Sequence, residues 1–400
     1  MHMPGLHRFT DRQHEIMGLA GGLAARFAER AAKNDVESVF PFENYRDLHE
    51  AGYLRLALPV GSGGWGADVF DMVLAQEVLA RGDASTALVT GMHFALLGRV
   101  RDSRAWPDDV LQEIDTTIAR EGGTINNCVT EAELGSISRG GLPGMTGERA
   151  DGGWRVSGRK IFVTGAPVLR FLATAVVLPP SNDAPDGELV SAIVESGTDG
   201  LSLEDTWSGA LGLRGCGNYA VNYDRVFVPD HRIVERMKIG GERKRPGTSG
   251  WNLPLSAVHL GIGQAALDAA VHYANNRVPA ALGKPIATAA HIQQWIGDMQ
   301  VKLHAARTVL HDTARAWLAG TASPEALAPA IATAKYLCTN AACDVTETAL
   351  RVAGGFSMTR GLPLERYFRD ARGGLFQPPQ DDLALGMIGR AALAEEKKKR

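Results

Sequence analysis

The period of the apolar pattern changes twice along the chain, and each change marks a boundary between kinds of secondary structure. From about residue 10 to 120, Ile16, Leu19, Leu23 and Phe27 recur at steps of three and four, and Val69, Val73 and Leu79 lie in a second such stretch. That spacing puts apolar side chains on one face of a helix. The turn-rich segment LPVGSGGWGAD separates the two. From about 123 to 230 the texture becomes short alternating runs, WRVSGRKIFV, LATAVVL, LVSAIVE and YAVNYDRVFV, divided by glycine, proline and aspartate clusters, which is a strand pattern. After Pro229 the helical period returns, with Ile292, Ile296, Met299, Leu303, Ala306, Leu310 and Trp317 marking a long helix that Gly320 ends. Ser323 before Pro324 starts another, because the serine oxygen caps free amides and proline needs no donor at the first position. Leu327, Ile331, Leu337, Ala341, Val345 and Val352 carry it to Gly354 and Gly355. The expected fold is mainly α with a central β domain: an N-terminal helical domain over 1–122, a middle β barrel or sandwich over 123–232, and a C-terminal bundle of long antiparallel helices over 233–400.

With 45% hydrophobic and 22% charged residues in 400, the chain has what a compact core requires. A formal net charge of -3 supplies no positive field for phosphate backbones or anionic lipid, so neither nucleic acid nor a membrane surface is an expected partner. Cys128, Cys216, Cys338 and Cys343 form no CxxC pair and have no histidines at ligand spacing, so no metal site and no disulfide framework is expected, and a reduced cytoplasmic setting fits best. The opening MHMPGLHRFTDRQ lacks a basic start followed by an apolar core, and no apolar run reaches the length of a membrane span.

Two segments carry chemistry. In CVTEAELGS, 128–136, a strand ends in a loop where Thr130, Gly135 and Ser136 offer hydroxyls and close backbone amides to a polar ring edge. In GRKIFVTGA, 158–166, a second strand brings the ring of Phe162 and the hydroxyl of Thr164 to the same end. Stacking plus edge hydrogen bonds is how flat heterocycles are held, although ordinary hairpin packing uses the same letters.

Taken with AGYLRLALPVGSGGWGADVFDMVLAQEVLARGDAST (51–86), LGLRGCGNYAVNYDRVFVP (211–229) and AGGFSMTRGLPLERYFRDAR (353–372), these segments resemble, in order and spacing, the acyl-CoA dehydrogenase family of flavoproteins. The resemblance runs over nearly the whole chain. It implies a helical, a β and a helical domain, FAD between the last two, and a homo-oligomer, dimer or tetramer. It implies that Val129, Thr130, Gly135, Ser136, Phe162 and Thr164 face the flavin ring, with Phe162 in place of the usual tryptophan. Arg277 falls on the arginine that reaches the pyrophosphate, which a guanidinium fork suits, although two extra residues separate it from Leu282 and Gly283, which stand where the family has Phe-Gly. Gly354 and Gly355 match a close backbone approach to the dinucleotide of a neighbouring subunit, and Arg351 stands where glutamine is common. Gly217 and Asn218 occupy positions where relatives hold polar partners near the flavin.

The family's chemistry also needs a base. In it a carboxylate removes the α proton of the thioester while flavin N5 accepts hydride from the β carbon. Counting on from Arg369 and Asp370 puts Pro378 at the place of the usual glutamate, and a second family position falls at Trp251. Neither residue can take a proton. In GGLFQPPQDDL, 373–383, the double proline sets up entry to a final helix that Asp381 or Asp382 can cap. The functional reading makes one of them the substitute base, Asp381 before Asp382, with His259 and Glu133, which read as helix-face and loop residues, as weaker candidates.

Three functions follow as expectations. The first is an FAD-dependent oxidoreductase that dehydrogenates an acyl-CoA or similar thioester and passes electrons to an electron-transfer flavoprotein or other acceptor. The second is a flavin-dependent monooxygenase of the same fold, which needs no α-proton base. The third is a non-catalytic flavin-containing binding protein like the family's DNA-binding branch. It ranks last, because in 320–350 Lys335 is the sole basic residue against Glu325, Asp344 and Glu347.

Overall fold

The structure is a computed structural model and describes residues 9–134, 141–240 and 248–399, with side chains to 394. Five helices come first: α1 (Asp11–Glu37), α2 (Phe42–Glu50), α3 (Val69–Ala80), α4 (Ala84–Asp102) and α5 (Asp108–Glu121). α1 begins at a capping box in which Thr10 Oγ1 accepts from Gln13 N at 3.2 Å and Gln13 Oε1 accepts from Thr10 N at 3.1 Å. Its stripe of Ile16, Leu23 and Phe27 is buried. α4 is buried almost all round, because its small residues let it pass between α6 and the β domain.

The strands are β1 (Thr124–Cys128), β2 (Thr146–Ala150), β3 (Gly153–Val163), β4 (Leu169–Leu178), β5 (Glu188–Glu195), β6 (Leu201–Glu204), β7 (Tyr219–Pro229) and β8 (Ile233–Lys238). Among the described residues they form one mixed sheet in the order β6-β7-β3-β2-β4-β5-β8, with β1 parallel to β4. The sheet continues past the expected limit at 232, because β8 pairs antiparallel with β5 from Ala192↔Ile233 to Glu188↔Lys238. Long, alternating β3 and β7 pair through most of their length, and the register shifts between Lys160 and Val163, which re-aims the side chains there.

The last part holds α6 (Leu253–Asn276), α7 (Ala290–Ala319), α8 (Pro324–Ala353), α9 (Leu364–Ala371) and α10 (Asp381–Lys399). α7 stops at Gly320, whose φ of 61° is the left-handed conformation glycine adopts without strain. Ser323 Oγ accepts from Ala326 N at 3.3 Å and caps α8. α8 packs against α6, α7 and α10, and Met299, Leu303, Leu310, Cys338 and Val345 are buried between them. The acyl-CoA dehydrogenase-like order of helices, sheet and helical bundle is thus present. Among the described residues no helix is long and apolar enough to cross a membrane, and no group of three or more His, Cys, Asp or Glu is placed to hold a metal ion.

Candidate flavin and substrate site

At the register shift in β3, Phe162 takes a left-handed φ of 53°, and its ring is 58% exposed. Trp207 meets it edge-on at 6.1 Å, and the Trp207 indole N–H is fixed to the Leu213 carbonyl at 2.8 Å. Ile161 N donates to Thr130 O at 2.9 Å, so the loop after β1 lies beside the bulge, with Val129 and Thr130 half-buried. Thr164 is buried, its carbonyl accepting from Asn126 Nδ2 at 3.1 Å. Thr130, Phe162 and Thr164 therefore gather at one end of the sheet. Gly135 and Ser136 lie outside the described residues, and Glu133 is an exposed loop residue.

Beneath this surface lies a pair that sequence reasoning missed. Lys160, fully buried, donates from Nζ to Glu131 Oε1 at 2.6 Å. Glu131 also accepts from Gly144 N at 2.6 Å and Met145 N at 3.3 Å. Burial pulls the Lys160 ammonium below its ordinary pKa, with Glu131 opposing the shift. A charge held this way fixes the loop beside Phe162 against β3. The available signal was Lys160 itself, an inward-facing lysine in a strand.

The segment 213–217 ties the bulge to the C-terminal helices. Gly165 N donates to Cys216 O at 2.8 Å, Ala166 N to Gly217 O at 3.2 Å, and Leu213 N to Asp370 Oδ1 on α9 at 2.6 Å. Gly217 has a φ of 54° and packs where a Cβ would fall 2.7 Å from Phe40. Next to it, Asn218 Oδ1 is buried without a hydrogen-bond partner among the described residues.

Beyond α9 a 3-10 turn, Arg372–Phe376, leads to Gln377 and the exposed Pro378. Asp381 and Asp382 stand in the first turn of α10 rather than capping it; the cap position is Gln380, whose carbonyl accepts from Ala384 N at 2.9 Å. The Asp381 carboxylate turns to α8, accepting from Asn340 Nδ2 at 3.0 Å and pairing with Lys335 Nζ at 3.4 Å. His259, read from the sequence as a helix-face residue, is 2% exposed, and its Nε2 lies 3.1 Å from Gln377 Oε1. Burial, with Lys335 adding to it and the Gln377 hydrogen bond opposing, pushes the imidazole down to about 4. Trp251 packs on Gly98 of α4, its indole N–H donating to Asp102 Oδ2 at 3.0 Å.

A third group lies at the ends of α6 and α8. The Arg277 guanidinium sits 4.8 Å from the centroid of the Phe356 ring and has no carboxylate partner among the described residues. Gly354 and Gly355 precede that ring, with open space where a Cβ would stand. Arg351 is engaged with Glu347 at 2.6 Å and is largely exposed. Leu282 and Gly283 occupy the loop that Ile286 N closes by donating to Arg277 O at 3.0 Å.

Fold and site together define a helix–sheet–helix protein with an exposed aromatic ring at one end of its sheet. Residues 10–100 match the acyl-CoA dehydrogenase N-terminal domain and residues 253–393 the acyl-CoA dehydrogenase C-terminal domain. The chain is 36% identical over 385 residues to "Putative acyl-CoA dehydrogenase YdbM" of Bacillus subtilis, covering 96% of this chain and 98% of that protein. It is 29% identical to benzylmalonyl-CoA dehydrogenase of Aromatoleum aromaticum, covering 91% and 93%. Among solved structures it resembles dibenzothiophene monooxygenase TdsC of Paenibacillus sp. A11-2, with a TM-score of 0.83 and 20% identity over 96% of this chain and 98% of that one. The chain belongs to the acyl-CoA dehydrogenase family. That family is flavin-dependent, and the chain is a flavoprotein oxidoreductase. The residues present fit a flavin: an exposed ring at Phe162, and, among the described residues, a buried acceptor without a hydrogen bond at Asn218 and a guanidinium without a carboxylate partner at Arg277.

Proposed function

We propose that the protein dehydrogenates an acyl-CoA thioester between its α and β carbons, passes the electrons to an electron-transfer flavoprotein or another acceptor, and works as a homo-oligomer. The observation that carries this reading is the fixed carboxylate of Asp381, the first acidic side chain after the loop that replaces the family's glutamate, oriented by Asn340 and Lys335. When bound, the flavin supplies the hydride acceptor. Val129, Thr130, Gly135, Ser136, Phe162 and Thr164 hold its ring, while Arg277 takes the pyrophosphate together with Gly354, Gly355 and Arg351 of a second copy. Asp381 accepts the α proton on a carboxylate oxygen, with Asp382 as the alternative. Domain limits at 1–122, 123–232 and 233–400 belong to the same reading, with the sheet's last strand, β8, running on beyond 232 to Lys238.

A second reading is oxygen-dependent monooxygenation. Its support is that Pro378 and Trp251, at the two family base positions, cannot take a proton, so chemistry without a carboxylate base needs no substitute. The two separate by oxygen dependence. Product formed from acyl-CoA without oxygen, in the presence of an electron acceptor, supports dehydrogenation. Product that appears only with oxygen and supplied reduced flavin overturns it in favour of the second reading.

A further inference from the structure

The loop that lacks the family's glutamate carries an ordered amide instead. Gln377 immediately precedes Pro378, and its Oε1 lies 3.1 Å from His259 Nε2. His259 Nδ1 is buried with no partner among the described residues. A proton on Nδ1 would leave a buried N–H unsatisfied and set two acceptors, Nε2 and Oε1, against each other. A proton on Nε2 satisfies the contact and leaves only a bare lone pair, the smaller penalty. The neutral ring therefore donates to Gln377 Oε1. Its position is fixed by packing: a Cβ on Gly374 would stand 2.6 Å from His259 Cε1 and 2.7 Å from Thr339 Cγ2.

With its oxygen taken, the Gln377 carboxamide has two N–H donors and no other partner among the described residues. We infer that Gln377, oriented by His259, is a specificity-determining residue that offers hydrogen-bond donors to an acceptor group on the acyl chain, so that the site selects thioesters carrying an oxyanion such as a carboxylate. The inference rests on the thioester reading above. A base position accepts a proton, whereas an amide N–H2 does the opposite. A substrate oxyanion completes the donors, while a purely aliphatic chain of the same length buries them unpaired. Arg372, the nearest cation along the loop, is stacked on Phe368 at 4.0 Å, and Lys335 is engaged by Asp381, which leaves the task to the amide.

The test is equilibrium binding to the anaerobic holoenzyme, followed by perturbation of the flavin spectrum, with succinyl-CoA and butyryl-CoA as probes. Wild type is expected to bind succinyl-CoA roughly 10- to 100-fold more tightly, the range for a hydrogen bond to a charged acceptor. Gln377→Leu brings the ratio to about one, Gln377→Glu inverts it, and Gly374→Ala, which displaces His259, lowers it with Gln377 intact. Equal affinities in wild type, or a preference that survives Gln377→Leu, overturn the inference while leaving the thioester reading standing. If neither thioester perturbs the flavin, both fall together.

Discussion

The backbone N–H of Leu213 donates to Asp370 Oδ1 at 2.6 Å, joining the end of the sheet to α9, while the adjacent Arg369 reaches Asp35 of α1 at 2.6 Å. One short helix thus pins all three parts of the chain. Burial drives the Asp370 carboxyl up from 3.8 to about 7, against the pull of the Leu213 hydrogen bond and Arg366. In the unfolded chain the proton leaves near the ordinary value, but in the fold it stays until about 7. Stability therefore declines as pH rises from about 4 to about 7 and levels off above. Asp370→Asn keeps an acceptor for Leu213 and removes the titration. Denaturant melts across this range should show a flatter curve for the variant, with its largest relative gain at the alkaline end.

His93 works in the opposite sense. Its Nε2 contacts Leu54 O at 3.1 Å and its Nδ1 accepts from Ile125 N at 3.3 Å, so a neutral ring bridges α4 to β1. Burial lowers its pKa from 6.5 to about 4. The unfolded chain takes up the proton first, so stability is lost as pH falls from about 6.5 to about 4. His93→Gln should reduce the steepness of that acid limb. His259 shares the window, so the limb should persist in part.

Lys160 and Glu131 supply a direct test of how the loop beside Phe162 is held. Lys160→Met leaves the Glu131 carboxylate buried without its cation, and removing one member of such a pair typically costs about 3–5 kcal/mol. The expected result is a lower melting temperature and weaker retention of the flavin. The double variant Lys160→Met with Glu131→Leu should recover much of the stability but less of the flavin, because the loop loses its anchors at Gly144 and Met145.

Asp381 and Asp382 are distinguished by substitution to asparagine. If Asp381 is the base, Asp381→Asn slows flavin reduction by acyl-CoA roughly 10²- to 10⁴-fold, the usual worth of a positioned acid–base group. Asp382→Asn should leave that rate within a few-fold. Rapid-mixing absorbance of the two variants against wild type is the measurement.

How far the sequence led depended on whether a signal was local. Gly320 and Ser323 announced the end of α7 and the start of α8, since a left-handed cap and a side-chain cap are set by neighbouring residues. The alternating runs became β3, β4, β5 and β7, but their order in the sheet came from long-range pairing that no window contains. Likewise the Lys160–Glu131 pair spans a separation of 29 residues, and a lysine in a strand ordinarily reads as solvated. His259 read as a helix-face residue because α6 is apolar on more than one side; only packing against Gly374 buries it. The aspartates at 381 and 382 looked like caps, yet Asn340 and Lys335 on α8 draw Asp381 away from that role. Motif spacing did locate Phe162, Thr130 and Thr164 at a common end, but the left-handed backbone that exposes the phenylalanine ring is a property of the β3 bulge.

The most direct measurement is the visible absorption of the purified holoenzyme during anaerobic titration with acyl-CoA thioesters of graded length. Dehydrogenation predicts loss of the oxidised flavin bands with at least one of them, together with an enoyl thioester product. An oxidised spectrum at saturating thioester throughout the series would contradict it.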